Sequence, residues 1–278
     1  MKKGDPRESA SLRFLYGSAP GRLVLRALNG RWLSKAAGKY LDSGLSKHLV
    51  KGFIKKNGID LSEYEKDTFS SFNDCFTRRI KEGARPFDED PSSLCSPCDG
   101  LLSVYDISGD TVIPVKQSAY SVSRLLGGDV AAKSFEGGVC AVIRLCVDNY
   151  HRYAYPDGGT KGENHFIKGK LHTVRPIALE KYPVFTENCR EWTLLHTDNF
   201  GDVAMIEVGA MLVGKIKNHL GAGSFRRGDE KGMFLYGGST VVLLFERGKV
   251  SVDRRFYEAT ANGTETPVRM GERIGSTV

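Results

Sequence analysis

From Leu94 onward the hydrophobic residues come in short stretches set off by glycine and polar residues: GLLSVYDI, DTVIPV, GVCAVIRLCV, VAMIEVGAMLVGKI, MFLY and STVVLLF. Stretches this short suit strands, and the glycines suit the turns between them. The pattern predicts a mainly antiparallel sandwich or barrel-like body over residues 91–278. Ahead of it, residues 10–58 read as helical. FSSFNDCFTRRI (69–80) places Phe69, Phe72, Phe76 and Ile80 at helical spacing, and residues 62–65 read as the start of a further short helix. The loop GARPFDEDP (83–91) ends this part. The expected class is α+β: a helical region over 1–90, then a β-rich domain over 91–278.

The net charge of +7 is concentrated in the front. Through Gly58 the chain carries 13 basic and 3 acidic residues, a net +10. Between the charges lie Phe14, Leu15, Tyr16, Leu23, Val24, Leu25, Leu28, Trp32 and Leu33, then Leu45, Leu49, Phe53 and Ile54. The stretch reads as two short helices, basic on one face and apolar on the other, and such helices lie in an anionic lipid interface. The alternative is that their apolar faces pack on the body and their charges face water. No nucleic-acid motif accompanies the charge, so a membrane is the favoured partner. No apolar run approaches about 18 residues, so no spanning helix is expected. The start MKKGDPRESA lacks an apolar signal core, which argues against export. The 6 cysteines lack the spacing of a small secreted domain and fit reduced thiols.

Several constellations could carry chemistry. In FLYGGSTVVLLF (234–245) the glycine pair between apolar runs reads first as a hairpin turn, with Ser239 as a turn residue. Cys95 and Cys98 form a Cys-x-x-Cys with no second pair at zinc spacing. Asp99 beside them either caps its own turn or orients a histidine. His151 follows the apolar run 142–147 and sits beside Arg152 in a loop. His172 alternates with apolar neighbours, so it faces an interior or a cleft. FTENCRE (185–191) reads as an ordinary polar loop. VGAMLVGKI (208–216) faintly resembles a biotinyl attachment turn. Leu212 stands where the lysine would be required, however, and Lys215 lies within an apolar run.

Taken together, these stretches resemble the phosphatidylserine decarboxylase family. The markers, in the family's order, are SPCDG (96–100), DNYHRYAYP (148–156), GKLHTVRP (169–176), FTENCRE (185–191), VGAMLVGKI (208–216) and KGMFLYGGSTVVLLF (231–245). The front, with LDSGLSKHLVKGFIKKNGIDLSEYE and SFNDCFTRRIKEGARPFD, is similar to the same family. The resemblance implies a proenzyme that cuts itself between Gly238 and Ser239. Residues 1–238 would become the larger chain and 239–278 the smaller, with Ser239 converted to a pyruvoyl group. It implies Asp99 as the orienting carboxylate of the base. The family commonly has a His-Arg-x-His pattern, and here Ala154 stands at the second histidine. Either His151 serves both cleavage and decarboxylation, which is favoured, or His172 supplies the second imidazole; a chain that processes poorly is a third option.

The implied activity is conversion of phosphatidylserine to phosphatidylethanolamine and CO₂, with the pyruvoyl group as electron sink and no metal. Implied partners are phosphatidylserine in an anionic membrane and the small chain with the large one, without nucleic acid; homo-oligomer formation is left open. The expected location is peripheral, at the cytoplasmic face of the cell membrane. The competing readings are a non-catalytic, anionic-lipid-binding β-domain protein and a carrier module of the biotinyl type.

Overall fold

The glycine-punctuated runs form strands because each is long enough for one crossing of a sheet and no more. A computed structural model describes the chain apart from residues 1–9, 29–30, 110, 116–117, 129, 175, 180–181, 211–214 and 236–238. Among the described residues, nine strands make one antiparallel sheet. Its order is Gly223–Phe225, Gly159–Lys161, Arg190–Thr197, Gly201–Val208, Ser239–Phe245, Val139–Leu145, Gly100–Asp106 and Thr266–Val268. His165–Ile167 also pairs with Arg190–Thr197. The order runs between two edge strands, so the sheet is open, not a closed barrel. A three-stranded sheet of Lys215–Asn218, Glu230–Leu235 and Arg152–Ala154 lies beside it, and another joins Ser93–Cys95, Arg273–Thr277 and Val250–Val252.

The central strand Ser239–Phe245 is wholly buried and feeds two cores. Val241, Leu243 and Phe245 pack with Tyr153 and Phe234; Val242 and Leu244 pack with Tyr16, Phe185 and Trp192. This is the alternation of a strand covered on both faces.

The glycine pair does not close a hairpin between the two runs that flank it. Glu230–Leu235 pairs with Lys215–Asn218 and Arg152–Ala154, whereas Ser239–Phe245 pairs with Gly201–Val208 and Val139–Leu145. The strands before and after residues 236–238 therefore belong to different sheets. The run 203–216 likewise spans two strands, Gly201–Val208 and Lys215–Asn218, and Lys215 is exposed at the start of the second instead of lying inside an apolar one.

The front is helical as its periodicity predicts: Ala10–Gly17, Ala19–Leu28, Arg31–Asp42 and His48–Asn57, with a 3-10 turn at Gly44–Lys47. The predicted helix over 69–80 shrinks to Phe72–Phe76, capped by the Ser71 hydroxyl, which accepts from the Asp74 N–H at 3.1 Å. Beyond it residues 79–81 pair with 63–65 instead, Glu65 N–H donating to the Arg79 carbonyl at 3.0 Å and Lys81 N–H to the Glu63 carbonyl at 2.9 Å, while Arg152 Nε and Nη2 hold the Thr77 carbonyl at 2.9 and 2.7 Å. Residues 62–65 do not start a helix: Tyr64 forms an antiparallel bridge with Ile80.

Tyr16 anchors the first helix. It is fully buried in the core that also holds Trp192 and Val242. Phe14, Leu23, Val24, Tyr40, Leu45 and Leu49 remain exposed, Leu23 at 68% and Leu45 at 76%. Thus the helices use part of their apolar surface on the body and leave part uncovered. Among the described residues no helix is long and apolar enough to cross a membrane.

Candidate active site

Ser239 opens the central strand, opposite Leu145 of one neighbour, and is fully buried. Strand parity places its side chain with those of Val241, Leu243 and Phe245, on the face that also receives Tyr153 and Phe234. His151 meets it there. The residue immediately precedes the strand Arg152–Ala154, and its carbonyl accepts the Phe234 N–H at 2.9 Å. The imidazole Nδ1 lies 3.4 Å from Ser239 Oγ. That is long for a hydroxyl-to-nitrogen bond, and it is the loosened spacing typical of a nucleophile and base before reaction. With its proton on Nε2, the ring accepts the hydroxyl proton at Nδ1.

His151 is fully buried, and its Nε2 has no hydrogen-bond partner among the described residues. Burial, reinforced by the Arg78 guanidinium, lowers its pKa to about 3; the carbonyls of Cys146 and Val147 pull weakly the other way. The neutral base form is therefore the resting form at neutral pH. The ring stacks on Phe76, with centroids 3.9 Å apart and planes at 28°.

Asp99 does not orient this ring directly. Its carboxylate accepts two bonds from Arg85, Nε to Oδ1 and Nη2 to Oδ2, both at 3.0 Å, and a third from the Met270 N–H at 2.8 Å. Among the described residues no hydrogen bond joins it to His151. The fork of Arg85 matches a carboxylate at both oxygens, and that pairing occupies the acid. The SPCDG segment nonetheless runs against the strand that follows His151: the Ala154 N–H donates to the Pro97 carbonyl at 2.8 Å. Gly100, the end of that segment, lies close on the strand Val139–Leu145 instead, since a Cβ there would lie 2.9 Å from the Arg144 carbonyl oxygen. Ala154 itself is buried and, with Arg85, Arg152, Tyr150 and Met270, lines a cleft of about 220 Å³.

His172 lies in a different network, packed with residues of the core on the other face of the sheet. Its Nδ1 is 3.4 Å from the Tyr16 hydroxyl, its Nε2 is 3.6 Å from Glu187, and its ring stacks on Tyr182 at 4.4 Å. Burial lowers its pKa, assisted by Lys170 and opposed by Glu187. Asn188 ties this segment to the central sheet. Its Nδ2 donates to the carbonyls of His172 and Gly209, both at 2.7 Å, and its Oδ1 accepts the His172 N–H. The FTENCRE stretch is thus a clamp and not an ordinary loop. Gly169 lets the two segments touch, since a Cβ there would meet the Glu187 carbonyl oxygen at 2.4 Å.

The structure therefore brings Ser239 and His151 together and places Asp99 and His172 elsewhere. Gly238, the other half of the proposed scissile bond, lies outside the described residues, as do residues 211–214 of the VGAMLVGKI stretch. Sequence reasoning missed Phe76 as a neighbour of His151, because it read only as part of an apolar helical spacing, and missed Arg78 altogether. It also missed Lys231 and Glu207, an ion pair at 2.8 Å with both side chains fully buried. Cys95 and Cys98 are buried and free, and burial raises both thiol pKa values. Among the described residues no cluster of His, Cys, Asp and Glu is arranged to hold a metal ion.

Comparison with known proteins agrees with the motif order. The sequence profile of the phosphatidylserine decarboxylase family matches residues 72–276. The chain is 44% identical over 271 residues to phosphatidylserine decarboxylase proenzyme 2 of Clostridium acetobutylicum, covering 97% of this chain and 93% of the relative. It is 41% identical over 273 residues to the phosphatidylserine decarboxylase proenzyme of Clostridium beijerinckii, covering 96% and 92%. For the Desulfitobacterium hafniense proenzyme the identity is 42% over 270 residues, covering 95% and 91%. On a match that spans most of its length and relatives this similar from end to end, the chain belongs to the phosphatidylserine decarboxylase family.

Proposed function

We propose that this chain is a self-processing proenzyme that decarboxylates phosphatidylserine to phosphatidylethanolamine and CO₂, with a pyruvoyl group made from Ser239. The observation that carries the proposal is the buried Ser239–His151 contact at 3.4 Å. His151 Nδ1 takes the hydroxyl proton as Ser239 Oγ attacks the carbonyl carbon of Gly238. The peptide C–N bond breaks, the proton passes to the departing nitrogen, and an ester replaces the amide. Elimination across the Cα–Cβ bond of residue 239 releases Gly238 as a carboxylate and leaves dehydroalanine. Water then exchanges the nitrogen for oxygen and frees ammonia.

The residues present fit this product. Position 239 starts a wholly buried strand, so the new chain end is shielded from bulk water. The small chain 239–278 stays attached to the large one through three pairings: Ser239–Phe245 at the centre of the sheet, Thr266–Val268 on Gly100–Asp106, and Arg273–Thr277 on Ser93–Cys95. The pyruvoyl group supplies an electron sink for loss of the substrate carboxylate. His151 faces position 239 through Nδ1, so a proton taken up from water can pass through it to the substrate carbon that has lost CO₂, and one imidazole serves both steps.

The basic front fits a peripheral site at an anionic membrane, at the cytoplasmic face. Its exposed Phe14, Leu23, Val24 and Leu45 provide the apolar contact, and its lysines and arginines the charge. Ala154 at the second histidine position favours one rival reading, a lipid-binding protein without catalysis.

Intact-mass measurement of purified protein decides. Two chains are expected, 1–238 and 239–278, the smaller lighter by one ammonia than a fragment that starts with serine. Ser239→Ala and His151→Ala should leave one chain and release no CO₂ from phosphatidylserine vesicles. A fully active protein that remains a single uncut chain refutes the proposal.

A further inference from the structure

Asp99 does not hold His151, so other groups must fix the ring. Arg78 is 2% exposed and follows the short helix that carries Phe76. Its Nη2 donates to the Asp148 carbonyl at 2.9 Å, to the Asn149 carbonyl at 3.2 Å and to the Tyr64 hydroxyl at 3.1 Å. Its Nη1 donates to the Cys75 carbonyl at 3.4 Å, and the guanidinium lies over the Tyr64 ring at 4.4 Å. The turn it grips is closed by the Asn149 N–H, which donates to the Cys146 carbonyl at 3.0 Å, and by the Asn149 side chain, which accepts the Cys146 N–H at 2.7 Å. His151 hangs two residues beyond that turn.

We propose that Arg78 is a positioning residue for the reaction at Ser239: by gripping the Asp148 and Asn149 carbonyls it fixes the turn that carries His151, and with Phe76 it sets the ring so that Nδ1 meets the serine hydroxyl. The proposal rests on His151 being the base. The groups facing the ring are the Ser239 hydroxyl from the central strand, Phe76 and Arg78 from the front segment, and the carbonyls of Cys146 and Val147 from its own loop. Arg78 is the charged one among them, so it also discourages protonation of the ring. Nη2 serves both carbonyls and the phenol while Nη1 reaches the Cys75 carbonyl, so the guanidinium holds the turn and its own helix end from one plane; an ammonium supplies the charge without the second arm.

The test follows conversion of precursor into two fragments after dilution from urea into buffers from about pH 3, the region of the lowered His151 pKa, to about pH 8. Arg78→Met should slow cleavage on the order of 10- to 100-fold, as expected for a misplaced base. It should also move the acid limb of the rate to higher pH, because the repelling charge is gone. Arg78→Lys should lose less and keep its acid limb near that of the unaltered chain. Wild-type cleavage in Arg78→Met, or slower cleavage with the acid limb unmoved, overturns the proposal. If Arg78→Met does not fold, Arg78→Lys decides: slowed cleavage at an unchanged melting temperature supports the positioning role, and a wild-type rate overturns it. His151→Ala, run in parallel, separates the two ideas, since cleavage in that variant removes the base assignment itself.

Discussion

Replacing Lys231 by methionine should turn a satisfied ion pair into a lone buried carboxylate. Lys231 Nζ donates to Glu207 Oε1 at 2.8 Å and to Asn218 Oδ1 at 3.0 Å, and both charged side chains are fully buried. Asn218 Nδ2 donates in turn to Glu207 at 3.1 Å and to Glu191 at 2.8 Å, and the Tyr153 hydroxyl donates to Asn218 Oδ1 at 3.1 Å. Without the lysine, Glu207 keeps one neutral donor and still faces Glu191. Removing one member of a buried pair costs about 3–5 kcal/mol, a large part of an ordinary protein's stability. Burial already raises the Glu207 pKa, and Lys231 is the largest group opposing the rise. A carboxylate with a folded pKa above its unfolded value contributes stability below the unfolded pKa and loses it as pH rises through the folded one. Lys231→Met should therefore be least stable at neutral and higher pH and recover on acidification, by at most about 1.4 kcal/mol per pH unit. The assay is urea unfolding followed by tryptophan fluorescence, in a Ser239→Ala background so that one chain unfolds. Lys231→Met/Glu207→Gln should regain most of the loss and flatten the pH dependence. A loss under about 1 kcal/mol at pH 7, with stability flat toward acid, would refute the reasoning.

Other outcomes follow from the same geometry. Because the His151 pKa is lowered to about 3, cleavage by the unaltered chain should not fall off around the ordinary histidine value of about 6.5; an acid limb there would mean a different base. His172→Ala should still cleave, since His172 is engaged with Tyr16, Tyr182 and Glu187, and fragment yield on a gel checks this. Tyr16→Ala empties a fully buried aromatic site and should cost about 3–5 kcal/mol of anchoring, seen as proteolysis of residues 10–28 faster by on the order of 100- to 1,000-fold or more. Leu23→Ser and Leu45→Ser, at highly exposed positions, should leave stability within about 0.5 kcal/mol yet each weaken sedimentation with phosphatidylserine vesicles by on the order of tenfold.

The division into a helical front and a β-rich body was legible because glycine spacing and periodicity are local properties. The pairing of Ser239 with His151 was not, since 88 residues separate them and only the fold sets the strand parity that turns both inward. Family resemblance named the residues; spacing alone left Ser239 a hairpin residue. That hairpin reading failed because strand pairing is decided by sheet partners, which a glycine pair does not report. Asp99 was visible as a carboxylate at a turn, but its partner Arg85 sat in a stretch that read as loop. The 69–80 helix was overcalled for a similar reason. Phe69 and Phe76 are buried as the periodicity requires, yet the Thr77 carbonyl is captured by Arg152 from a strand 75 residues away.

Several of these misses share a direction: they concern contact between the front and the body. Phe76, Arg78 and Arg85 lie before residue 90, and they hold His151 and Asp99, which lie beyond it. Phe76 packs in turn with Leu235 of the body and against Leu41, Phe53 and Phe72 of the front. Arg269, in the segment proposed to become the small chain, also reaches Glu63 of the front and so joins the Arg85–Asp99 cluster. The front therefore does more in the fold than the lipid contact proposed for it requires. Stacking, a buried guanidinium and a carboxylate-bound fork tie it to His151, the proposed base, and to both proposed chains, so a disturbance of residues 60–85 is expected to reach the proposed chemistry through that ring.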